Sequence, residues 1–334
     1  MKKITVLGAG SWGTALAFQL ARSGADVFLW DHKAERAQKM QERRQNYQYL
    51  PEILFPENIF VNSDLELSLK DTELVVAVTP SQTIRNLIRD ALPYLDPEVP
   101  ICCASKGIEE STLMTMEEVL RDVLPRSYHA QLSFLAGPSF AKEVAQNVPT
   151  AVVIASRFPE TANEVAEAFH GGYFRVYHTD DIVGAELGGA LKNIIAIACG
   201  IADGMGTGLN TRAALMTRGL AEITRLAVAR GANPLTLAGL AGMGDLTLTC
   251  TGNLSRNRRV GIGLGQGKRL PEILDELGQV AEGIISTKSA IAMAESSNIE
   301  MPITKEIYHL LYEDGTVQEA MLNLLGRERR AERG

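Results

Sequence analysis

Short β-branched runs alternate with amphipathic stretches through the first half of the chain, the pattern of a parallel sheet flanked by helices. The spacing predicts strands at Ile4–Leu7, Val27–Trp30, Ile59–Val61, Leu74–Val78, Ile101–Ala104, Leu132–Ala136, Ala151–Ala155 and Tyr173–Tyr177. Several are apolar throughout, as strands covered on both faces are. Turn residues follow at Gly8, Thr79-Pro80, Ser105-Lys106-Gly107 and Gly137-Pro138. After Asp181 the period becomes helical, over Gly184–Ala202, Thr211–Ala229, Val260–Leu264, Leu270–Leu277, Gly283–Ser296 and Thr304–Tyr312. The reading is an α/β protein. A Rossmann-type, mainly parallel sheet domain spans 1–183, and an all-α domain spans 184–334. The charged tail Gly326–Gly334 is expected to fray.

A chain of 334 residues has material for two such domains. Its formal net charge of −7 provides no field for nucleic acid or an anionic membrane surface, so any basic cluster is local and suits a small anion. Cys102, Cys103, Cys199 and Cys250 have neither CxxC spacing nor His partners and read as reduced core thiols, not zinc ligands. Met1-Lys2-Lys3 with Ala15-Leu16-Ala17 imitates a secretion signal, but Gly8 and Gly10 break its apolar run. No run approaches the roughly 18 apolar residues of a membrane span. A cytoplasmic protein without membrane insertion is expected.

Gly8-Ala9-Gly10-Ser11-Trp12-Gly13 fits G-x-G-x-x-G between a strand (Lys3–Leu7) and a helix (Thr14–Arg22), the context that gives this pattern meaning. Gly8 permits a tight turn, Gly10 lets the backbone approach a pyrophosphate, and Gly13 lets helix and strand close up. Free amides at the helix start then face the anion. At the end of the second strand, Asp31 stands where an acid would take the ribose 2′-hydroxyl of NAD. His32, Lys33 and Arg36 would suit the 2′-phosphate of NADP. The expected cofactor is therefore NAD or NADP.

Ligands of open parallel sheets sit outside the carboxyl ends of the strands. Lys106 and the segment Gly137–Ala141 fall there, although a solvated loop lysine and an N-cap at Ser139 would share that spacing. Lys192 has only Gly188, Gly189, Ile195 and Ala196 as helical neighbours, and the glycines leave space beside it. Desolvation would lower its pKa from about 10.4, which suits a proton donor and acceptor; a snorkelling side chain is the bland alternative. Ser255-Arg256-Asn257-Arg258-Arg259 could clamp a phosphate through bidentate hydrogen bonds, or form a solvated basic face. The glycines of Gly261–Lys268 do not make a P-loop, because Ile262 and Arg269 occupy the places of its first Gly and its Ser/Thr.

With these segments in place, the chain resembles the bacterial NAD(P)-dependent glycerol-3-phosphate dehydrogenases. The pieces, in family order, are GAGSWGTALA at the start, SKGIE around Lys106, AGPSFAKEV around Ser139 and ELGGALKNIIAIACGIADG around Lys192. AGMGDLTLTC around Asp245, SRNRRVG at Ser255 and GQVAEGI around Glu282 complete the set, which spans almost the whole chain. The resemblance implies interconversion of dihydroxyacetone phosphate and sn-glycerol 3-phosphate, supplying phospholipid synthesis, by a homodimer. It implies cofactor contacts from Ser11, Trp12, His32, Lys106, Ala141, Arg256, Val280 and Glu282. It implies substrate contacts from Lys106, Gly137, Ser139, Lys192, Asp245, Ser255, Arg256 and Asn257. Lys192 would be the proton acceptor in the oxidative direction, with Lys106 polarising the carbonyl and Asp245 orienting Lys192 or holding a substrate hydroxyl. Two other readings share the architecture: a related hydroxyacid dehydrogenase, and a non-catalytic NAD(P)-sensing module. The phosphate-suited Ser255-Arg256-Asn257 run argues against the first and a desolvated Lys192 against the second.

Overall fold

A computed structural model of the protein describes residues 2–278, 281–328 and 331–332. Two compact units emerge, residues 1–189 with 232–245 and residues 190–231 with 246–334. The sequence suggests a single cut after 183. The structure divides the chain inside a helix and returns 232–245 to the first unit, where a Cβ on Gly184 would meet Thr236 and one on Gly188 would meet the Ala241 carbonyl.

The first unit is built on eight strands: β1 (Lys3–Leu7), β2 (Asp26–Trp30), β3 (Ile59–Asn62), β4 (Leu74–Ala77), β5 (Ile101–Cys103), β6 (Leu132–Ala136), β7 (Thr150–Ala155) and β8 (Phe174–Thr179). Each coincides with an apolar run of the sequence. Their order is β3-β2-β1-β4-β5-β6-β7-β8, parallel throughout except where β6 meets β7. The central strands β4, β5 and β6 are wholly buried, whereas the edge strand β8 exposes half its residues. Alternation along β1 sends Val6 to one face, with Leu16 and Leu20 of helix α1 (Ser11–Arg22), and Leu7 to the other, with Ile84, Ile88 and Leu120. The chain runs outward from β1 to β3 and then restarts at β4 on the other side of β1. Loops leaving β1 and β4 therefore diverge, the geometry that opens a ligand crevice.

The second unit is helical, and among the described residues no strand follows β8. It takes in the end of the long helix Ile182–Gly204, with Leu209–Ala229, Arg256–Gly265, Leu270–Leu277, Glu282–Ser296, Pro302–Tyr312 and Val317–Leu325. Sequence periodicity misses the last of these, and also the short turns Pro234–Ala238, Leu240–Gly244 and Asp245–Thr251, which are too brief to display a period. The long helix corrects the expectation about membrane spans. By length and composition it could cross one, although Glu186 and Lys192 interrupt it and most of it is buried within the protein.

The glycines that fail as a P-loop have a packing role instead. A Cβ on Gly261 would strike the Ile197 carbonyl and one on Gly265 the Ile201 carbonyl. Reciprocally, Gly200 and Gly204 face the Arg258 and Ile262 carbonyls. Two helices cross here backbone to backbone, closer than any side chain allows.

Candidate functional site

The turn after β1 carries three glycines with three different needs. Gly8 has φ +128°, and a Cβ there would lie 2.5 Å from the Val78 carbonyl oxygen. A Cβ on Gly13 would collide with the Gly8 carbonyl. At Gly10, by contrast, nothing lies within 4 Å of the Cβ position, so this glycine faces open space. The first internal bond of α1 runs from the Thr14 amide to the Gly10 carbonyl at 3.0 Å, leaving the Ser11, Trp12 and Gly13 amides without helical acceptors. The Trp12 indole N–H is buried and has no partner. Asn46, which sequence patterning does not single out, pins the turn: its amide donates to the Ala9 carbonyl at 2.9 Å and to Thr14 Oγ1 at 2.7 Å. Open room at Gly10, unbonded amides and an orphaned indole fit a dinucleotide pyrophosphate.

At the end of β2, the Asp31 carboxylate accepts from the Lys33 amide at 2.8 Å, Arg36 Nε at 2.8 Å and Arg36 Nη2 at 2.9 Å. None of its side chain is exposed. His32 lies outside it, with Nδ1 3.8 Å from that carboxylate. Asp31 is thus turned inward onto Arg36.

Lys106 follows β5, and its ammonium donates to the Gly137 carbonyl at 3.2 Å and to Asp245 Oδ2 at 2.8 Å. Sequence reasoning offers Asp245 a role on Lys192 or on a substrate hydroxyl; the structure adds Lys106 as its partner. Two of three ammonium hydrogens are engaged, and the third is available to a ligand oxygen. Ser139 Oγ donates to the same Gly137 carbonyl at 3.1 Å. Ser139 is no helix cap: the helix Ala141–Ala145 starts after Phe140 and lacks a side-chain cap. The glycines before Lys192 are also reassigned. A Cβ on Gly188 would lie 2.6 Å from the Ala241 carbonyl oxygen and one on Gly189 3.5 Å from Lys106 Cδ. They receive those neighbours and do not serve as space beside Lys192.

Glu186 escapes sequence reasoning because an acid on a helix is ordinarily solvated. It lines a small cavity with Cys103, Lys106, Met116 and Phe134. Oε1 accepts from the Glu117 amide at 2.9 Å, and Oε2 is buried without a partner. Burial pushes its carboxyl up to about 8, against a hydrogen bond from Thr115.

In the second unit Lys192 is only 6% exposed, in keeping with the desolvation inferred from its neighbours. The Cys250 thiol is held well above its ordinary range by its hydrogen bond with Cys199 and by burial, while the nearby Lys192 and Arg258 cations oppose the shift. Ser255 caps Arg256–Gly265 by accepting the Arg258 amide at 3.2 Å, and its hydroxyl hydrogen remains a donor. Asn257 Oδ1 accepts the Gly283 amide at 2.9 Å, so only its NH2 is left to serve a ligand, the polarity an anion needs. Arg256 is exposed. Arg258 is not part of a clamp: its guanidinium is buried against Asp203, Nε to Oδ2 2.8 Å, and against Asn253 at 2.9 Å. Burial pushes the Glu282 carboxyl up to about 7, with the Arg256 guanidinium opposing. Val280 lies outside the described residues. All four cysteines are free and buried, and among the described residues no acidic, His or Cys cluster could hold a metal.

The model of the N-terminal part of NAD-dependent glycerol-3-phosphate dehydrogenase matches residues 3–162, and that of the C-terminal part matches 181–322. The chain is 51% identical over 331 residues to glycerol-3-phosphate dehydrogenase (NAD(P)+) of Geobacter sp. (strain M21), covering 99% of each. It is 47% identical over 330 residues to the enzyme so named from Leptospira biflexa, again covering 99% of each. The crystal structure of glycerol-3-phosphate dehydrogenase from Coxiella burnetii is similar with a TM-score of 0.93 and 42% identity, over 98% of this chain and 99% of that one.

Proposed function

The chain belongs to the NAD-dependent glycerol-3-phosphate dehydrogenase family, and we propose from its geometry how its residues divide the reaction. It is an oxidoreductase that interconverts dihydroxyacetone phosphate and sn-glycerol 3-phosphate with NAD(P)H, a step of phospholipid metabolism. When bound, the nicotinamide coenzyme supplies the hydride equivalent for the C2 carbonyl. The Gly8–Gly13 turn, with Ser11 and Trp12, holds the pyrophosphate; His32, Lys106, Ala141, Arg256, Val280 and Glu282 make further coenzyme contacts. Residues 1–183 serve mainly the dinucleotide and 184–334 mainly the substrate.

Lys192, kept as an ammonium until the carbonyl oxygen gains charge, gives its proton to that oxygen and takes it back in the oxidative direction. Lys106, held by Asp245 and Gly137, keeps one N–H with which to polarise a substrate carbonyl. Ser255, Arg256 and Asn257 donate to the phosphate, and Ser139 borders the substrate. Burial of the Lys192 amine carries this assignment, since a solvated lysine would be a poor acid near neutral pH. The rival readings lose ground to the full-length family match and the donor polarity of Ser255 and Asn257. Four buried, unpaired thiols suit the cytoplasm, and a homodimer is the assembly the resemblance favours. The test is loss of reduced-coenzyme absorbance on adding dihydroxyacetone phosphate. No loss with either NADH or NADPH would refute the reading.

A further inference from the structure

A buried carboxyl oxygen without a partner lies against the loop that carries Lys106. Glu186 is on the long helix Ile182–Gly204, and Gly189, three residues on, shares its face. A Cβ on Gly189 would lie 3.5 Å from Lys106 Cδ and 3.7 Å from its Cγ, so the lysine stem rests on this face. Glu186 and the segment Ser105-Lys106-Gly107 line one cavity, with room for about one water between apolar walls that include Met116 and Phe134. Oε1 is spent on the Glu117 amide at 2.9 Å, in the first turn of helix Met116–Val123, and Oε2 has no partner. Neighbouring cations are engaged elsewhere. Arg157 holds the Glu117 carboxylate at 2.7 and 2.9 Å, and the Lys106 ammonium faces Asp245 and Gly137. Burial, with Glu117 and Glu118 adding to it and Thr115 opposing, favours the protonated carboxyl. Since Oε1 accepts, the proton falls to Oε2. A buried donor of this kind is rarely left unbonded, and an enclosed water is a common partner.

On the reading that Lys106 polarises the substrate carbonyl, we propose that Glu186 is a positioning residue for that lysine. Its Oε2–H donates to one water in the cavity, and the water bridges to the backbone of Ser105-Lys106-Gly107. The bridge fixes the loop at its base, while Asp245 and Gly137 fix the ammonium at the other end of the side chain. Without it the loop settles towards the cavity and draws the ammonium off line. A misplacement of about 1 Å can cost about 10²-fold in rate. Glu186 acts through Lys106 and touches neither substrate nor coenzyme.

A crystal structure of the unmodified protein should show one ordered water within about 3.2 Å of Glu186 Oε2; a dry cavity overturns the proposal. Glu186→Met removes both oxygens and should lower kcat by about tenfold or more, while KM for dihydroxyacetone phosphate and coenzyme Kd move by less than about threefold. Glu186→Gln keeps an acceptor for the Glu117 amide and an N–H for the water, and should recover most of that loss. A double variant separates positioning from folding. In a Lys106→Ala background, Glu186→Met should cost almost no further activity, although its effect on the melting temperature persists. An equal fold-loss in both backgrounds, or parental kcat in Glu186→Met, overturns the proposal and leaves Lys106 in its role. Parental turnover by Lys106→Ala itself removes the polarising role, and the positioning role with it. If Glu186→Met does not fold, the crystallographic water decides.

Discussion

Lys106 and Asp245, 139 residues apart in sequence, meet in a single hydrogen-bonded ion pair of 2.8 Å. The carboxylate is 1% exposed and the lysine 19%, so the pair is largely removed from water. Losing one partner of a buried pair costs about 3–5 kcal/mol. Asp245→Asn retains an acceptor for Lys106 but weakens its hold. The fold should survive, with kcat down by about 10²-fold, the range for losing a positioned electrostatic group. Lys106→Ala leaves the Asp245 carboxylate without this cation and should also lower the melting temperature. Both effects are read from initial rates and thermal melts on the same preparations.

Lys192→Ala should lower kcat by about 10²–10⁴, the range for a positioned general acid. Coenzyme binding, measured by fluorescence titration, should persist. Turnover near that of the unmodified protein would remove Lys192 from the chemistry.

The neighbouring arginines should separate cleanly. Arg256→Ala removes an exposed cation and should raise KM for dihydroxyacetone phosphate by about tenfold or more, from one lost charged hydrogen bond, with little change in melting. Arg258→Ala breaks the buried contact with Asp203, which Arg212 also engages. A loss of about 3 kcal/mol in denaturant-derived stability is expected there, with KM little affected in the folded fraction.

Glu186 and Glu222 are buried acids held up at about 8 and about 7, both primarily by burial. Each folded-state value lies above that of the unfolded chain, so their contribution is fully present below about pH 4 and is lost as pH rises towards the folded-state values. Stability should therefore fall between about pH 5 and 8, by about 1.4 kcal/mol per pH unit per group at most. Glu186→Gln should flatten that decline in melts across this window. A variant whose melting curve tracks the parent at every pH would show that Glu186 is ionised in the fold.

Two glycines should report opposite things. Gly261→Ala drives a methyl into the Ile197 carbonyl and should cost about 1–3 kcal/mol or more, read from the denaturant midpoint. Gly10→Ala meets open space and has an ordinary φ of −74°. It should melt like the parent while binding either coenzyme more weakly.

All eight strands, the glycine turn and the shift to helices were legible in the chain's own patterning, because alternation and apolar runs record whether a residue faces solvent or core. The depth of Lys192 was also legible, from small and apolar neighbours a turn away. Partner identity was not. Asp31 could have faced a ribose, Gly188 and Gly189 could have made room for Lys192, and Arg258 could have joined Arg256 on a phosphate. Tertiary structure turned Asp31 onto Arg36, filled the glycine space with Ala241 and Lys106, and tied Arg258 to Asp203. Local spacing dictates which face a side chain takes. What covers that face arrives from distant parts of the chain, and only packing decides it.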